Sequence, residues 1–136
     1  MKKILQLFIF TALFLSTISA NDFAQKLEIS LKKDEQKKIL VKYDSIEKLF
    51  KLRWTLYHNN GLVVLRSYDK IVAQNVLYLR GKNQSFLLEL NPGGRDYYNP
   101  PYFLVKFKDF DYEKKEALFE IFLSDKNLQI EFEELQ

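Results

Sequence analysis

The chain offers few of the side chains that catalyse reactions in proteins. Its 136 residues include one histidine, His58, and no cysteine. Nucleophilic catalysis by serine or cysteine usually needs an imidazole as the base, and the sequence has no Gly-x-Ser-x-Gly turn to present a serine. Zinc sites use several cysteine and histidine ligands, which a single histidine cannot supply. We therefore predict no catalytic residue and no cofactor, and we expect that the protein is not an enzyme.

Three acidic residues in the carboxyl-terminal half could offer oxygen ligands to a hard cation. Asp109, Asp111 and Glu113 occupy every second position, so an extended backbone would place their carboxylates on one side of a strand. The segment lacks the glycine and the terminal glutamate of an EF-hand loop. Phe110 and Tyr112, between the acids, are typical of core anchors. We therefore interpret the segment as a solvated turn and predict no metal site.

The candidate for molecular recognition is the irregular stretch at residues 91–102, which contains all three prolines and two of the four glycines. Arg95, Tyr97, Tyr98 and Tyr102 belong to the residue types that dominate binding hot spots. Loops carried on rigid sheets are common places for recognition. The loop is therefore the candidate site for binding a partner. The alternative, which the sequence favours slightly, is that its tyrosines fold back and close one end of the core.

Apolar and polar residues alternate along most of the chain, which is typical of half-buried strands. Eight to nine short strands without a convincing helix predict an all-β fold, an antiparallel β-sandwich of immunoglobulin-like architecture, with a barrel as the alternative. The predicted inward positions are Leu27, Ile29, Leu31, Ile39, Val41, Tyr43, Leu52, Trp54, Leu56, Val63, Leu65, Phe86, Leu88, Leu90, Phe103, Val105, Phe107, Ala117, Phe119, Ile121, Leu123, Leu128, Ile130 and Phe132.

The stretch from Leu49 to Tyr68 predicts a β-hairpin. Asn60-Gly61 supplies a two-residue type I′ turn, because both residues tolerate positive φ. This register places Arg53 opposite Tyr68, where a cation can lie over the ring. A four-residue loop is the alternative, and it is less favourable because it sets Arg53 against Arg66.

Two further irregularities are predicted near this hairpin. The residues from Asp44 to Glu47 could form a helical turn, since aspartate and serine are good helix caps. A strand from Ile71 to Arg80 loses its alternation at Gln74-Asn75, where a β-bulge would reconcile its two halves.

The first twenty residues have the features of a secretory signal peptide. Lys2 and Lys3 precede an apolar run from Ile4 to Leu15, and small residues then lead to Ala20. The run is shorter than the about 20 residues that span a bilayer. We expect cleavage after Ala20, a single domain over residues 21–136, and no transmembrane segment after cleavage; a retained anchor is the alternative.

Charge gives no case for binding nucleic acid. The formal charge is +3, and two of the positive charges belong to the leader. Residues 21–66 carry ten basic and six acidic side chains, whereas residues 67–136 carry nine and twelve. This dipolar layout could steer a partner or pair two copies, although solvated strand faces explain it equally well.

Together these features favour an exported binding module, periplasmic or secreted, from a bacterium with AT-rich codons. It would act through the loop or through an exposed sheet edge on an envelope protein or on another copy of itself. The alternative function is a periplasmic carrier of a small apolar ligand. In that case the outward-facing Leu118 and Phe122 would line the entrance.

Overall fold

A computed structural model of the chain describes residues 25–43, 46–90, 101–124 and 128–133. In these ranges the chain forms nine β-strands, and it has no helix that is long and apolar enough to cross a membrane. The predicted signal peptide lies outside the described residues. The strands are β1 Gln25–Lys32, β2 Lys37–Tyr43, β3 Ile46–His58, β4 Gly61–Tyr68, β5 Ile71–Tyr78, β6 Ser85–Glu89, β7 Tyr102–Asp111, β8 Glu116–Leu123 and β9 Gln129–Glu133.

The strands form two antiparallel sheets. One has four strands in the order β1-β8-β7-β6, and the other has five in the order β5-β4-β3-β2-β9. As described, the sheets do not close into a barrel, so the predicted antiparallel sandwich is confirmed. Immunoglobulin-like refers to this two-sheet architecture only. Each sheet is a meander of consecutive strands, β6 to β8 in one and β2 to β5 in the other. One strand from the other end of the sequence extends each meander, β1 in the first sheet and β9 in the second.

Alternating apolar side chains from both sheets fill the space between them. Phe50, Phe103, Phe107 and Phe119 are fully buried. The rings of Phe50 and Phe103 meet edge to face across the sheets, with centroids 6.0 Å apart. The inward positions predicted for β1, β2, β6, β7 and β8 are confirmed as buried or half-buried.

The last strand departs from this pattern. Leu128 is fully buried, but Phe132, which was predicted to face inward, is 40% exposed. Its ring lies beneath the Lys37 ammonium group, which is 4.8 Å from the ring centroid. Leu128 directly precedes β9 and Ile130 is half-buried, whereas Phe132 lies near the end of this edge strand.

The β3–β4 hairpin has the predicted kind of turn, shifted by one residue. Asn59 and Asn60 have φ values of 50° and 64°, and His58 pairs with Gly61. Asparagine tolerates the left-handed region better than most residues, so two asparagines supply the type I′ turn. The predicted Asn60-Gly61 turn is wrong, and so is the four-residue loop. Arg53 lies opposite Leu65 rather than Tyr68 or Arg66.

A β-bulge in β3 changes which residues of the hairpin face the core. Trp54 pairs with Val64 and Leu56 pairs with Val63, so the register shifts between Trp54 and Leu56. One additional residue moves everything beyond it to the other face. As a result Leu56 is 52% exposed, and β4 buries Leu62 and Val64. The inward placement predicted for Leu56, Val63 and Leu65 is therefore wrong.

The strand after the hairpin is regular where the sequence predicts a bulge. β5 keeps one register with β4 from the Tyr68–Ile71 pair to the Gly61–Tyr78 pair. Asn75 stays in the ladder, and its side-chain oxygen accepts a hydrogen bond from Nε of Arg66 at 2.8 Å. The bulge predicted at Gln74-Asn75 is therefore wrong.

The helical turn predicted before β3 is also wrong in the part that the structure describes. Ile46 and Glu47 belong to β3, where they pair with Tyr43 and Lys42. Residues 44–45 lie outside the described ranges.

Gly61 is required by a close approach between strands rather than by its φ. A Cβ atom at this position would lie 3.0 Å from Cε1 of Tyr78 and 3.3 Å from the carbonyl oxygen of His58. We expect Gly61→Val to lower the free energy of unfolding by about 1–2 kcal/mol, because overpacking forces neighbours to move. Urea denaturation measures this cost. A Tyr78→Ala background should remove much of it, and equal costs in both backgrounds would contradict the proposed clash.

Candidate functional site

Most of the loop predicted for recognition lies outside the described residues. These include Arg95, Tyr97 and Tyr98, whose binding role stays a prediction. Tyr102 begins β7 and is half-buried. Its backbone N–H donates to Oγ of Ser124 at 2.9 Å, and its carbonyl oxygen accepts from the Ser124 N–H at 3.2 Å. Tyr102 is thus part of the sheet framework at the end of the loop.

The acidic segment covers the end of β7, with Asp109 and Asp111, and the turn to β8, with Glu113. Oδ1 of Asp111 accepts hydrogen bonds from the N–H groups of Glu113 and Lys114, each at 3.0 Å. Oδ1 of Asp109 accepts one from the Phe110 N–H at 2.8 Å. The carboxylates of both aspartates therefore fix the backbone. Within the described ranges, no three histidine, cysteine, aspartate or glutamate residues come together as a metal site.

An open groove of about 370 Å³ lies beside this turn and is lined by residues from both sheets. Tyr57 lines the groove and contacts two of its other aromatic residues. Its ring stacks on Phe110 with centroids 4.1 Å apart, and its hydroxyl is 3.0 Å from that of Tyr112. We call this surface the aromatic groove, and its lining residues are Lys33, Trp54, Leu56, Tyr57, Phe110, Tyr112 and Lys115.

The aromatic groove combines apolar walls with positive charge at its rim. Leu56 and Tyr112 are 52% and 66% exposed, while Lys33 and Lys115 come from turns on two sides. Burial, together with the hydrogen bond to Tyr112, raises the pKa of Tyr57 to about 12. The phenol is therefore neutral at physiological pH. Such a surface suits a small apolar molecule with an anionic group.

A second candidate surface is the outer side of β5. In the described part of the chain, β5 pairs only with β4. The backbone N–H of Tyr78 donates to the carbonyl oxygen of Asn83 at 2.9 Å, so it points away from β4. Along an antiparallel strand, the backbone N–H and C=O groups of successive residues point alternately toward one neighbouring strand position and toward the other. Val72, Gln74 and Val76 consequently direct their N–H and C=O groups to the open side, which we call the β5 edge.

As far as the described residues show, the β5 edge lacks the features that usually protect an edge strand. Natural sheets use charges, prolines, bulges or short strands for this purpose. The sequence from Ile71 to Leu79 contains no charged residue and no proline. β5 is also neither short nor bulged, since its eight residues pair in one unbroken register. Its apolar side chains are also open to solvent, since Ile71 and Val72 are 69% and 73% exposed.

The other edges of the sandwich differ from the β5 edge. In β1, Lys26 and Glu28 form ion pairs with Glu120 and Lys108 at 2.9 and 2.6 Å. In β9, Glu131 pairs with Lys42 at 3.0 Å. β6 has only five residues. Among the edges that the structure describes, β5 is therefore the one best suited to accept another strand.

Comparison of the chain with protein-family models, with curated proteins and with solved structures finds no match, so its function has to be inferred from these surfaces.

Proposed function

We propose that this protein is an exported, non-enzymatic interaction module that binds a partner by adding a strand to its five-stranded sheet at the β5 edge. The observation that carries this proposal is the set of open backbone groups at Val72, Gln74 and Val76 in a strand without charge. In strand addition, main-chain hydrogen bonds supply affinity, and alternating side chains supply specificity. Export rests on the leader sequence, and a partner in the cell envelope follows from it.

An additional strand at the β5 edge would also make apolar contacts on the outer face of the sheet. Leu56, Val63 and Val76 lie side by side across β3, β4 and β5. Val76 and Leu56 are 39% and 52% exposed. A partner strand beside Val76 would continue this row and remove apolar area from water, at about 25 cal/mol per Å².

A pair of substitutions at Gln74 tests the proposal. Gln74→Pro removes the open N–H and places the proline ring in the path of a partner strand, so we expect it to abolish binding. Gln74→Ala is the matched control: it removes the side chain but keeps the N–H, and it should retain binding. The measurement is purification from periplasmic extract of the native host, with mass spectrometry of what accompanies each variant. Equal partner recovery with the proline variant would reject the β5 edge.

The same experiment separates the alternative surfaces. If the loop is the binding site, replacing Arg95, Tyr97 and Tyr98 together by alanine removes the partner, and Gln74→Pro has no effect. Either pattern identifies one surface, because the two sets of substitutions change different parts of the sequence.

The alternative function is a carrier of a small apolar ligand, and the aromatic groove is the observation that favours it. Leu118 and Phe122, which were predicted to line the entrance of a carrier, are half-buried in β8 and are not among the residues that line the groove. A carrier would bring an amphipathic anion through purification in place of a protein. Leu56→Asp, which puts a negative charge in the groove, should then release that ligand.

A further inference from the structure

We infer that the strand accepted at the β5 edge is β5 of a second copy of this chain, paired antiparallel about a two-fold axis that passes beside Gln74. This inference rests on the proposed function, since it names the partner of the same edge. It is based on a near-symmetry of the β5 sequence about Gln74: Val72 and Val76 lie two positions from it, and Ile71 and Leu77 lie three positions from it.

Geometry leaves few registers for such a pair. Residues directly opposite each other in an antiparallel pair lie on the same face of the sheet. A two-fold axis perpendicular to the sheet must therefore pass beside one residue, which faces its own copy. Near the middle of β5 the candidate centres are Ala73, Gln74 and Asn75.

A centre at Gln74 uses all the open backbone groups. Val72 then lies opposite Val76 of the second copy, and Gln74 lies opposite Gln74. The open N–H and C=O groups of Val72, Gln74 and Val76 are all hydrogen-bonded across the axis. On the inner face, Ile71 lies opposite Leu77 of the second copy. Valine thus meets valine, isoleucine meets leucine and glutamine meets glutamine, while the small side chain of Ala73 lies opposite Asn75.

The neighbouring centres match less well. A centre at Asn75 sets Gln74 opposite Val76. It also needs the Tyr78 N–H for a hydrogen bond to the second copy, but this N–H already donates to the carbonyl oxygen of Asn83. A centre at Ala73 sets Val72 against Gln74 and leaves Val76 beyond the paired segment. Each sets Gln74 opposite a valine, whereas the centre at Gln74 sets valine opposite valine and glutamine opposite glutamine.

Charge and exposure also favour pairing between two copies. β5 carries no charge from Ile71 to Tyr78, so the axis brings no like charges together. Pairing covers Val72, which is 73% exposed, and it places Leu77 of the second copy beside Ile71, which is 69% exposed. The opposite edge of the same sheet is β9, which carries the ion-paired Glu131. Assembly therefore closes at a dimer with one continuous sheet.

Single cysteines test the register, because the chain has none of its own. In the pairing centred on Gln74, Cα atoms of the two Gln74 residues are about 5.5 Å apart. The two Val72 residues are offset by four positions, roughly 13 Å along the strand. With a short bis-maleimide linker, Gln74→Cys should give cross-linked dimer, whereas Val72→Cys and Val76→Cys should each give little alone. A mixture of the Val72→Cys and Val76→Cys proteins should cross-link well. Equal yields in every case, or a maximum at Asn75→Cys, would overturn the register.

Sedimentation and amide hydrogen exchange complete the test. A single strand pair buries less than the about 1,200 Å² of a standard interface, so we expect the full-length purified protein to pass from monomer to dimer over micromolar concentrations. Gln74→Pro should stay monomeric, and Gln74→Ala should not. The amides of Val72, Gln74 and Val76 should exchange rapidly in the monomer and become protected in the dimer.

The exchange data distinguish failure of this inference from failure of the proposed function. If the protein stays monomeric with these amides exposed, while a different protein strand protects them, self-pairing is wrong and strand addition stands. If the amides are already protected in the monomer, another segment of the chain covers the edge, and both are wrong.

Discussion

Replacing Trp54 by alanine is expected to lower the free energy of unfolding by about 3–5 kcal/mol, the range found for large buried aromatic residues. Trp54 is 3% exposed. Its ring meets Phe110 edge to face with centroids 5.6 Å apart, and its Nε1–H donates to the carbonyl oxygen of Leu31 at 2.7 Å. The substitution therefore opens a cavity and leaves a buried acceptor without its donor. Both effects lower stability.

Trp54→Phe is the matched control. It keeps an aromatic ring in the site but removes the donor to Leu31, and we expect a loss of about 1–3 kcal/mol. Urea denaturation followed by far-ultraviolet circular dichroism measures both variants, since the only tryptophan of the chain is lost in each. An unchanged midpoint for Trp54→Ala would mean that β3 does not turn this face to the core.

The strands could be predicted from the sequence because burial on one side of a sheet requires alternation, and alternation is local. Ile39 and Val41, or Phe103 and Val105, are buried as their pattern predicts. The faces of the β3–β4 hairpin could not be predicted in the same way. The bulge between Trp54 and Leu56 depends on how the two strands pair, so a local pattern read through it assigns the wrong face to Leu56.

The candidate site was partly visible in the sequence. The uncharged run from Ile71 to Leu79 can be read directly. Its importance depends on strand order, because the same run in a central strand would be ordinary core. The aromatic groove was hidden for a similar reason: Tyr57 and Phe110 are 53 positions apart in sequence, and the sandwich brings their rings to 4.1 Å. Tertiary neighbours of this kind leave no periodic signal.

We expect proline substitutions at two adjacent positions of β5 to differ in their cost in unfolding free energy, because the N–H groups at these positions point to opposite sides of the strand. Ala73→Pro is expected to cost about 2–4 kcal/mol, because the Ala73 N–H points toward its β4 partner Arg66. Proline there removes a ladder hydrogen bond, leaves a carbonyl without a donor, and forces its ring against β4. Gln74→Pro is expected to cost less than about 1 kcal/mol, because its N–H points to the open side, where edge strands tolerate proline.

The costs at Ala73 and Gln74 can be compared directly because the two residues are neighbours in one strand. Proline restricts the unfolded chain to a similar extent at both sites, so that contribution largely cancels in the difference. Urea denaturation of both variants, with Ala73→Gly as a control for loss of the side chain, gives the measurement. If Gln74→Pro proved the more costly, the open side would belong to Ile71, Ala73 and Asn75. Strand addition through Val72, Gln74 and Val76 would then fail, because the groups that must bond to a new strand would already bond to β4.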